Sequence, residues 1–303
     1  LNSRRLFNWF FYGHLQIALA ATGLGWLTLQ LAYDSQTWAS DTPVLAFLFF
    51  STLGVYTLHR YLSFQRAGVR PTSKRYNIVS RHPAASLVIG IGSMATAGII
   101  GLPFIDAMWG SLLWATPLTI FYLTPPIKGW PRLRDLPYVK VIWVAWAWTL
   151  MTAQLPIDIM SDAINQAASG EIHCFAGCGS PQAPWPYELI IRFLFTGSIA
   201  LLFDFRDTVL DKSQGVKTMA NMHPKSTRWI ITLAMLFSCY LLWSINGYKQ
   251  SFTSLATIAY AGVLCAAWLT NETRSEDWFA VVINGLLLGP VVGMVVYSYY
   301  YSQ

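Results

Sequence analysis

Asp204, Asp207 and Asp211 leave the end of an apolar stretch at spacings of three and four residues, with Gly215 and Thr218 just behind them. On a helix turning about 100° per residue, their carboxyl groups fall in one stripe roughly 60° wide. Aligned carboxylates repel: a pair ~6 Å apart costs about 3 kcal/mol at an effective dielectric of 20. Something positive must face them. A divalent cation carrying a phosphorylated ligand would do so, and so would a nearby arginine.

The elements that must carry these acids are membrane spans. Apolar residues make up 54% of the 303 and charged residues only 11%, with 14 Trp, 15 Tyr and 17 Phe. That composition marks a polytopic membrane protein. Apolar stretches run near 7–32, 42–63, 84–103, 107–123, 138–155, 187–204, 228–246, 252–270 and 278–299. Each is long enough for a hydrocarbon core ~30 Å thick. Alternating segments of about ten residues, the mark of a transmembrane barrel, do not occur. The expected fold is therefore all-α, a helical bundle of about nine transmembrane helices forming a single domain over 1–303. The connection at about 156–186 is expected to be an external loop.

Charge sets the orientation. All of the 20 Lys and Arg except Arg192 and Lys249 fall on one side of this nine-span arrangement. The positive-inside rule makes that side cytoplasmic. A multi-pass protein of the cell inner membrane is expected, with a cytoplasmic N-terminus and an external C-terminus. The net charge of +6 is then a topological signal rather than a nucleic-acid footprint. No acid falls at mid-span, so a proton relay through the bilayer centre, and with it a transporter, has little support.

Two segments then resemble a known family. The run Asp204, Asp207, Asp211, Gly215, Thr218 matches the pattern D-x-x-D-x-x-x-D-x-x-x-G-x-x-T, the second aspartate-rich motif of the UbiA superfamily of intramembrane prenyltransferases. Tyr122, Pro125, Pro126 and Lys128 look like the same family's Y-S-x-P-P-x-R/K signature. Nine spans with polar cytoplasmic 2–3 and 6–7 connections are also that family's layout. The resemblance implies Mg²⁺-assisted transfer of a prenyl group from a polyprenyl diphosphate to a lipophilic acceptor. Asp204, Asp207 and Asp211 would be the catalytic metal ligands. Arg60, His59, Arg81, Lys217 and Tyr122 would meet the substrate. Mg²⁺ suits such a site because it prefers a few carboxylates together with phosphate oxygens.

The first family motif, N-x-x-x-D-x-x-x-D, is missing. Tyr56, Arg60 and Phe64 stand at its spacing, and no carboxylate occurs between Asp41 and Asp106. Two readings follow. Arg60, with His59, could grip diphosphate directly while the aspartates hold one Mg²⁺, a contact arginine is shaped for. Alternatively Arg60 pairs with Asp204 or Asp207 and seals the site. The chain would then be a non-catalytic relative, binding lipid or pigment or serving as a structural subunit of a larger membrane complex.

Several residues have plainer readings. Arg81, before His82 and Pro83, resembles a helix entry with proline in the first turn. Lys74 and Arg75 read as positive-inside charges, and His14 as a core histidine. Trp143, Trp146 and Trp148 serve packing or the interfacial belt, with one or two of them able to line a prenyl pocket. Cys239 and Cys265, inside spans, read as small buried hydrophobes. Cys174 and Cys178, placed outside by the charge rule, are expected to form a disulfide rather than a metal site with His173.

Overall fold

The computed structural model describes residues 3–33, 38–66, 73–168, 185–213, 215–244 and 250–301. Among these residues all regular structure is helical. A short amphipathic helix, α1 (Ser3–Tyr12), leads into α2 (Leu15–Tyr33) and α3 (Trp38–Arg66). The surface turn α4 (Asn77–Arg81) precedes α5 (Pro83–Gly101) and α6 (Ile105–Leu123). Helix α7 (Lys140–Thr149) continues through a π-turn, Leu150–Gln154, into α8 (Leu155–Ala168). Next come α9 (Trp185–Ser213), the small α10 (Met219–Met222), α11 (Pro224–Ser244) and α12 (Gln250–Leu269). A second π-turn, Trp278–Ile283, then leads to α13 (Asn284–Leu286) and α14 (Gly289–Tyr301).

Each apolar stretch read from the sequence lies on these helices, and the chain is a membrane protein. Five helices are long and apolar enough to cross a bilayer, or six if the bent pair Trp278–Leu286 and Gly289–Tyr300 is one span. One of the five, Pro83–Tyr122, is 40 residues long, twice the ~20 a span needs. Contacts with α3 show where it turns back. A Cβ on Gly54 would meet Met94, and one on Gly101 would meet Phe47, so α5 runs antiparallel to α3. Val44 and Phe47 cluster with Met108, whereas His59 reaches Thr119, so α6 runs parallel to α3. The chain therefore reverses at Leu102–Phe104. Large apolar side chains such as Val88, Ile99, Leu233 and Ile258 are more than 60% exposed, a surface suited to lipid.

Two departures from expectation have local causes. The first apolar stretch is broken at Gly13 and His14, where His14 takes a φ of +67°. Span 5 runs further than expected, to Ala168, because Leu155, Ile157 and Ile159 are buried. Residues 156–168 of the expected external loop are thus helical. Cys174 and Cys178 lie outside the described residues. Cys265 is exposed rather than buried, pointing out from α12.

Proline explains the π-turn and a buried cation. Pro156 has no N–H to donate to the carbonyl of Thr152 one turn back. That carbonyl instead accepts from the Thr28 hydroxyl at 2.9 Å and from Arg192 at 3.2 Å. Arg192, 2% exposed, also donates to Glu188 at 2.5 Å and to the Leu24 carbonyl at 2.9 Å. This cluster ties α2, the π-turn before α8 and α9 together at the end of the bundle away from Asp204. Small residues set the spacing of α7 against α9: a Cβ on Gly197 would sit 3.4 Å from that of Ala145.

Candidate active site

The aspartate run lies on the last turns of α9, and the residues behind it are helix punctuation. Gly215 adopts a φ of +70°, the left-handed conformation that ends helices. Val216 N–H closes the turn on the Asp211 carbonyl at 2.9 Å. Thr218 is the N-cap of α10 in a reciprocal capping box with Asn221. Glycine and threonine thus fold the chain back beneath the acids. A second left-handed residue, Tyr138 at φ +63°, donates its N–H to the Lys217 carbonyl at 3.2 Å. That bond pins the start of α7 to the end of α9 and delivers Lys140 among the aspartates.

Lys140 is the centre of the acid cluster. Its Nζ lies 2.7 Å from Asp204, 3.5 Å from Asp211 and 4.0 Å from Asp207. All but Asp207 are fully buried or nearly so. Asp207 is gripped on its other side by Arg75 at 2.8 Å and by Arg206 at 3.0 and 3.1 Å. The positive partner required by the acids is therefore a set of three side chains. Arg60 is not one of them: its guanidinium lies over the Tyr76 ring at 5.3 Å. Sealing by an Arg60–aspartate pair is replaced by Arg75, which arrives from the 2–3 connection.

Beside this cluster opens a cavity of about 280 Å³ between α3, α6, α7 and α9. Its polar end holds Arg60, Arg75, Lys140 and Arg206 against the carboxylates Asp204, Asp207 and Glu276. Three buried donors in its wall have no acceptor among the described residues: Arg60 Nε, Arg75 Nε and Trp143 Nε1. Buried donors of this kind are rare and point to a partner the protein chain does not supply. Further in, the walls are aromatic. Trp148 Nε1 donates to the Tyr56 hydroxyl at 3.1 Å, and the His14 ring lies 6.1 Å from that of Tyr56. His59 bonds the Thr119 carbonyl at 3.1 Å and stacks on Tyr122, which Arg134 also covers.

Of the residues marked from sequence, His59, Arg60, Tyr122, Asp204 and Asp207 line this cavity. Asp211 stands behind it, on Lys140. Arg81 ends the surface turn α4 with its side chain exposed, and Lys217 is exposed because only its backbone turns inward. Neither lines the cavity. Trp143 and Trp148 face inward, while Trp146 is 43% exposed and does not line the cavity. Sequence reasoning passed over Lys140, Arg75 and Arg206 as positive-inside charges. The available signal for Lys140 was its place as first residue of an apolar run.

The roof over the polar end is latched. The Tyr12 hydroxyl and Lys74 both donate to Asp277, the latter at 2.6 Å, and Ser73 and the Arg75 N–H donate to Glu276. Asp277 is held below the usual carboxylate range, chiefly by the Lys74 hydrogen bond and then by Tyr12. The connection carrying Arg75 is thereby fixed to the turn before Trp278.

Comparison with solved structures gives this arrangement its class. A UbiA homolog from Archaeoglobus fulgidus bound to GPP and Mg²⁺ superposes with a TM-score of 0.63 at 12% identity, covering 95% of this chain and 99% of that one. The Archaeoglobus fulgidus homolog bound to Cd²⁺ gives 0.58 at 13% identity, covering 95% and 99%. A structure described in a study of digeranylgeranylglyceryl phosphate synthase in membranes gives 0.55 at 12%, covering 97% and 99%. The chain has the fold of the UbiA prenyltransferases. No protein-family model and no curated protein matches the sequence.

The Archaeoglobus fulgidus structures of this fold carry Mg²⁺ in one case and Cd²⁺ in another. The donor set of this chain is arranged differently. Mg²⁺ needs oxygens at 2.0–2.1 Å in an octahedral shell, and the space between Asp204, Asp207 and Asp211 is filled by an ammonium group. No cluster of three or more His, Cys, Asp or Glu able to hold a metal ion occurs among the described residues. As the side chains stand, the three aspartates do not fit a divalent cation.

Proposed function

We propose that this chain binds a polyprenyl diphosphate in the cavity beside Asp204 and transfers its prenyl group to a lipophilic acceptor within the membrane. The observation that carries the reading is the trio of buried donors without acceptors among the described residues, Arg60 Nε, Arg75 Nε and Trp143 Nε1, in the wall of an aromatic chamber. A diphosphate satisfies guanidinium donors through paired, charge-assisted hydrogen bonds. The volume of about 280 Å³ is close to the lower end of the ~300–1,000 Å³ usual for small-molecule sites.

In the reaction, the allylic C–O bond breaks and diphosphate departs with the electron pair. Arg60, Arg75, Lys140 and Arg206 stabilise the charge that grows on it, which is the largest catalytic effect such a site can supply. The ring faces of Tyr56, Tyr122 and Trp148 stabilise the allylic cation. An electron pair from the acceptor then forms the new C–C or C–O bond, and the acceptor loses a proton. The site opens to the side that the basic connections assign to the cytoplasm.

The test is to incubate the purified chain in lipid vesicles with geranyl diphosphate and a membrane lipid extract, reading released diphosphate and prenylated lipid. Release with formation of a prenylated product is expected. Tight binding without release favours the non-catalytic relative, a reading supported by the full pairing of Asp207 with Arg75 and Arg206. Absence of binding with prenyl diphosphates of every length tried would refute the transferase reading and leave the non-catalytic relative.

A further inference from the structure

We propose that Lys140 is the resident counter-ion of the aspartate cluster, standing where a divalent cation would have to stand, so that this chain takes its phosphorylated ligand without a metal. The inference rests on the prenyl diphosphate reading for the identity of the ligand, but not for the role of Lys140.

Four observations carry it. First, the Lys140 ammonium is within 4.0 Å of all three carboxylates, at 2.7 Å from Asp204, 3.5 Å from Asp211 and 4.0 Å from Asp207. Second, Lys140 is only 8% exposed, so its charge is held in place rather than sampled from solvent. Third, its position is built by the backbone. The left-handed Tyr138 two residues earlier is fixed by its N–H bond to Lys217, and its ring stacks on His223. A non-glycine residue keeps that conformation only where its surroundings impose it. Fourth, the other wall of the cavity has the same sign. Arg60 occupies the spacing at which a second acidic motif would stand, and it has no carboxylate partner among the described residues.

These features fit together electrostatically. A metal-bridged site presents carboxylates on both walls and needs cations between them and the phosphates. Here one wall is basic and the other is acidic but already neutralised by Lys140, Arg75 and Arg206. An anion meets a polar end lined by four cations and three carboxylates. Added divalent metal would have to displace an ammonium group, so lysine and metal are mutually exclusive occupants.

Two titrations test this, using the full chain in detergent. In the first, Mn²⁺ alone is the probe, followed by its paramagnetic resonance. Wild type should show no stoichiometric site, Lys140→Met should gain one, and Lys140→Arg should not. Stoichiometric Mn²⁺ binding by wild type, or a folded Lys140→Met that binds none, overturns the proposal. In the second, geranyl diphosphate binding to wild type is measured in chelator and again with excess Mg²⁺. Affinities within about twofold are expected, and a loss of about tenfold in chelator overturns the proposal. If Lys140→Met does not fold, the two wild-type measurements decide. If geranyl diphosphate binds under neither condition, the functional reading falls, and the Mn²⁺ titration still decides the role of Lys140.

Discussion

Arg60→Met separates a ligand contact from a structural ion pair, because the two roles change stability and binding in opposite ways. Among the described residues Arg60 has no carboxylate within ion-pair distance. Among those residues its only aromatic partner is Tyr76 at 5.3 Å, and its Nε is buried with no acceptor from them. Removing it gives up a cation–π contact of about 0.5–1 kcal/mol. The same change relieves an unpaired donor whose burial costs about 1–3 kcal/mol, and methionine keeps the apolar stem. The folded chain should therefore be unchanged within about 1 kcal/mol, a shift of a few degrees at most in thermal unfolding. Binding should change far more. A hydrogen bond to a charged group contributes about 1.5–3 kcal/mol, so geranyl diphosphate should bind roughly 10- to 150-fold more weakly. Thermal unfolding and ligand titration in the same detergent give both numbers. Unchanged affinity, or a destabilisation of several kcal/mol, would falsify the ligand role, since the first outcome removes the contact and the second reveals a hidden structural partner.

Other substitutions read different parts of the molecule. Asp207→Asn removes the charge shared by Arg75, Arg206 and Lys140; it should lower stability by about 3 kcal/mol, as breaking a buried pair does. A thermal midpoint equal to wild type would contradict it. Arg192→Met takes from buried Glu188 its 2.5 Å partner and strips the Thr152 carbonyl of a donor. It should destabilise the bundle by roughly 3–5 kcal/mol while the folded fraction keeps its affinity for geranyl diphosphate, because the cluster lies at the far end. A selective loss of affinity would count against that separation. Asp277 has a depressed pKa, so its contribution is present above the usual carboxylate range and fades as pH falls through its folded value. Asp277→Asn should flatten the acid limb of a plot of thermal midpoint against pH, and an unchanged limb would show that the latch contributes nothing.

Much of the fold was legible because membrane physics writes it in large letters. Span length, apolar composition and the one-sided placement of Lys and Arg each follow from the bilayer as solvent. The bundle architecture needs little more. The glycine and threonine that follow the acids were equally legible, since a left-handed stop and an N-cap are local requirements met by particular residue types. The break at His14 was not, because a tertiary environment, rather than glycine or proline, imposes its φ of +67°.

The partner of the aspartates was illegible for a physical reason. Helical periodicity places Asp204, Asp207 and Asp211 on one stripe, but it does not say which element faces that stripe. The choice between Arg60 and the other basic residues depends on how α7 docks on α9 through Ala145 and Gly197, and on a hydrogen bond between two connections far apart in sequence. Once α7 lies antiparallel against α9, its first residue must meet the last turns of α9. That residue is Lys140. The same packing leaves Arg60 on the opposite wall with an unsatisfied donor. A charge that repels its neighbours and lacks a carboxylate gains most from an anionic ligand, so the substitution that removes the first acidic motif and the lysine that neutralises the second are two parts of one design for binding anions.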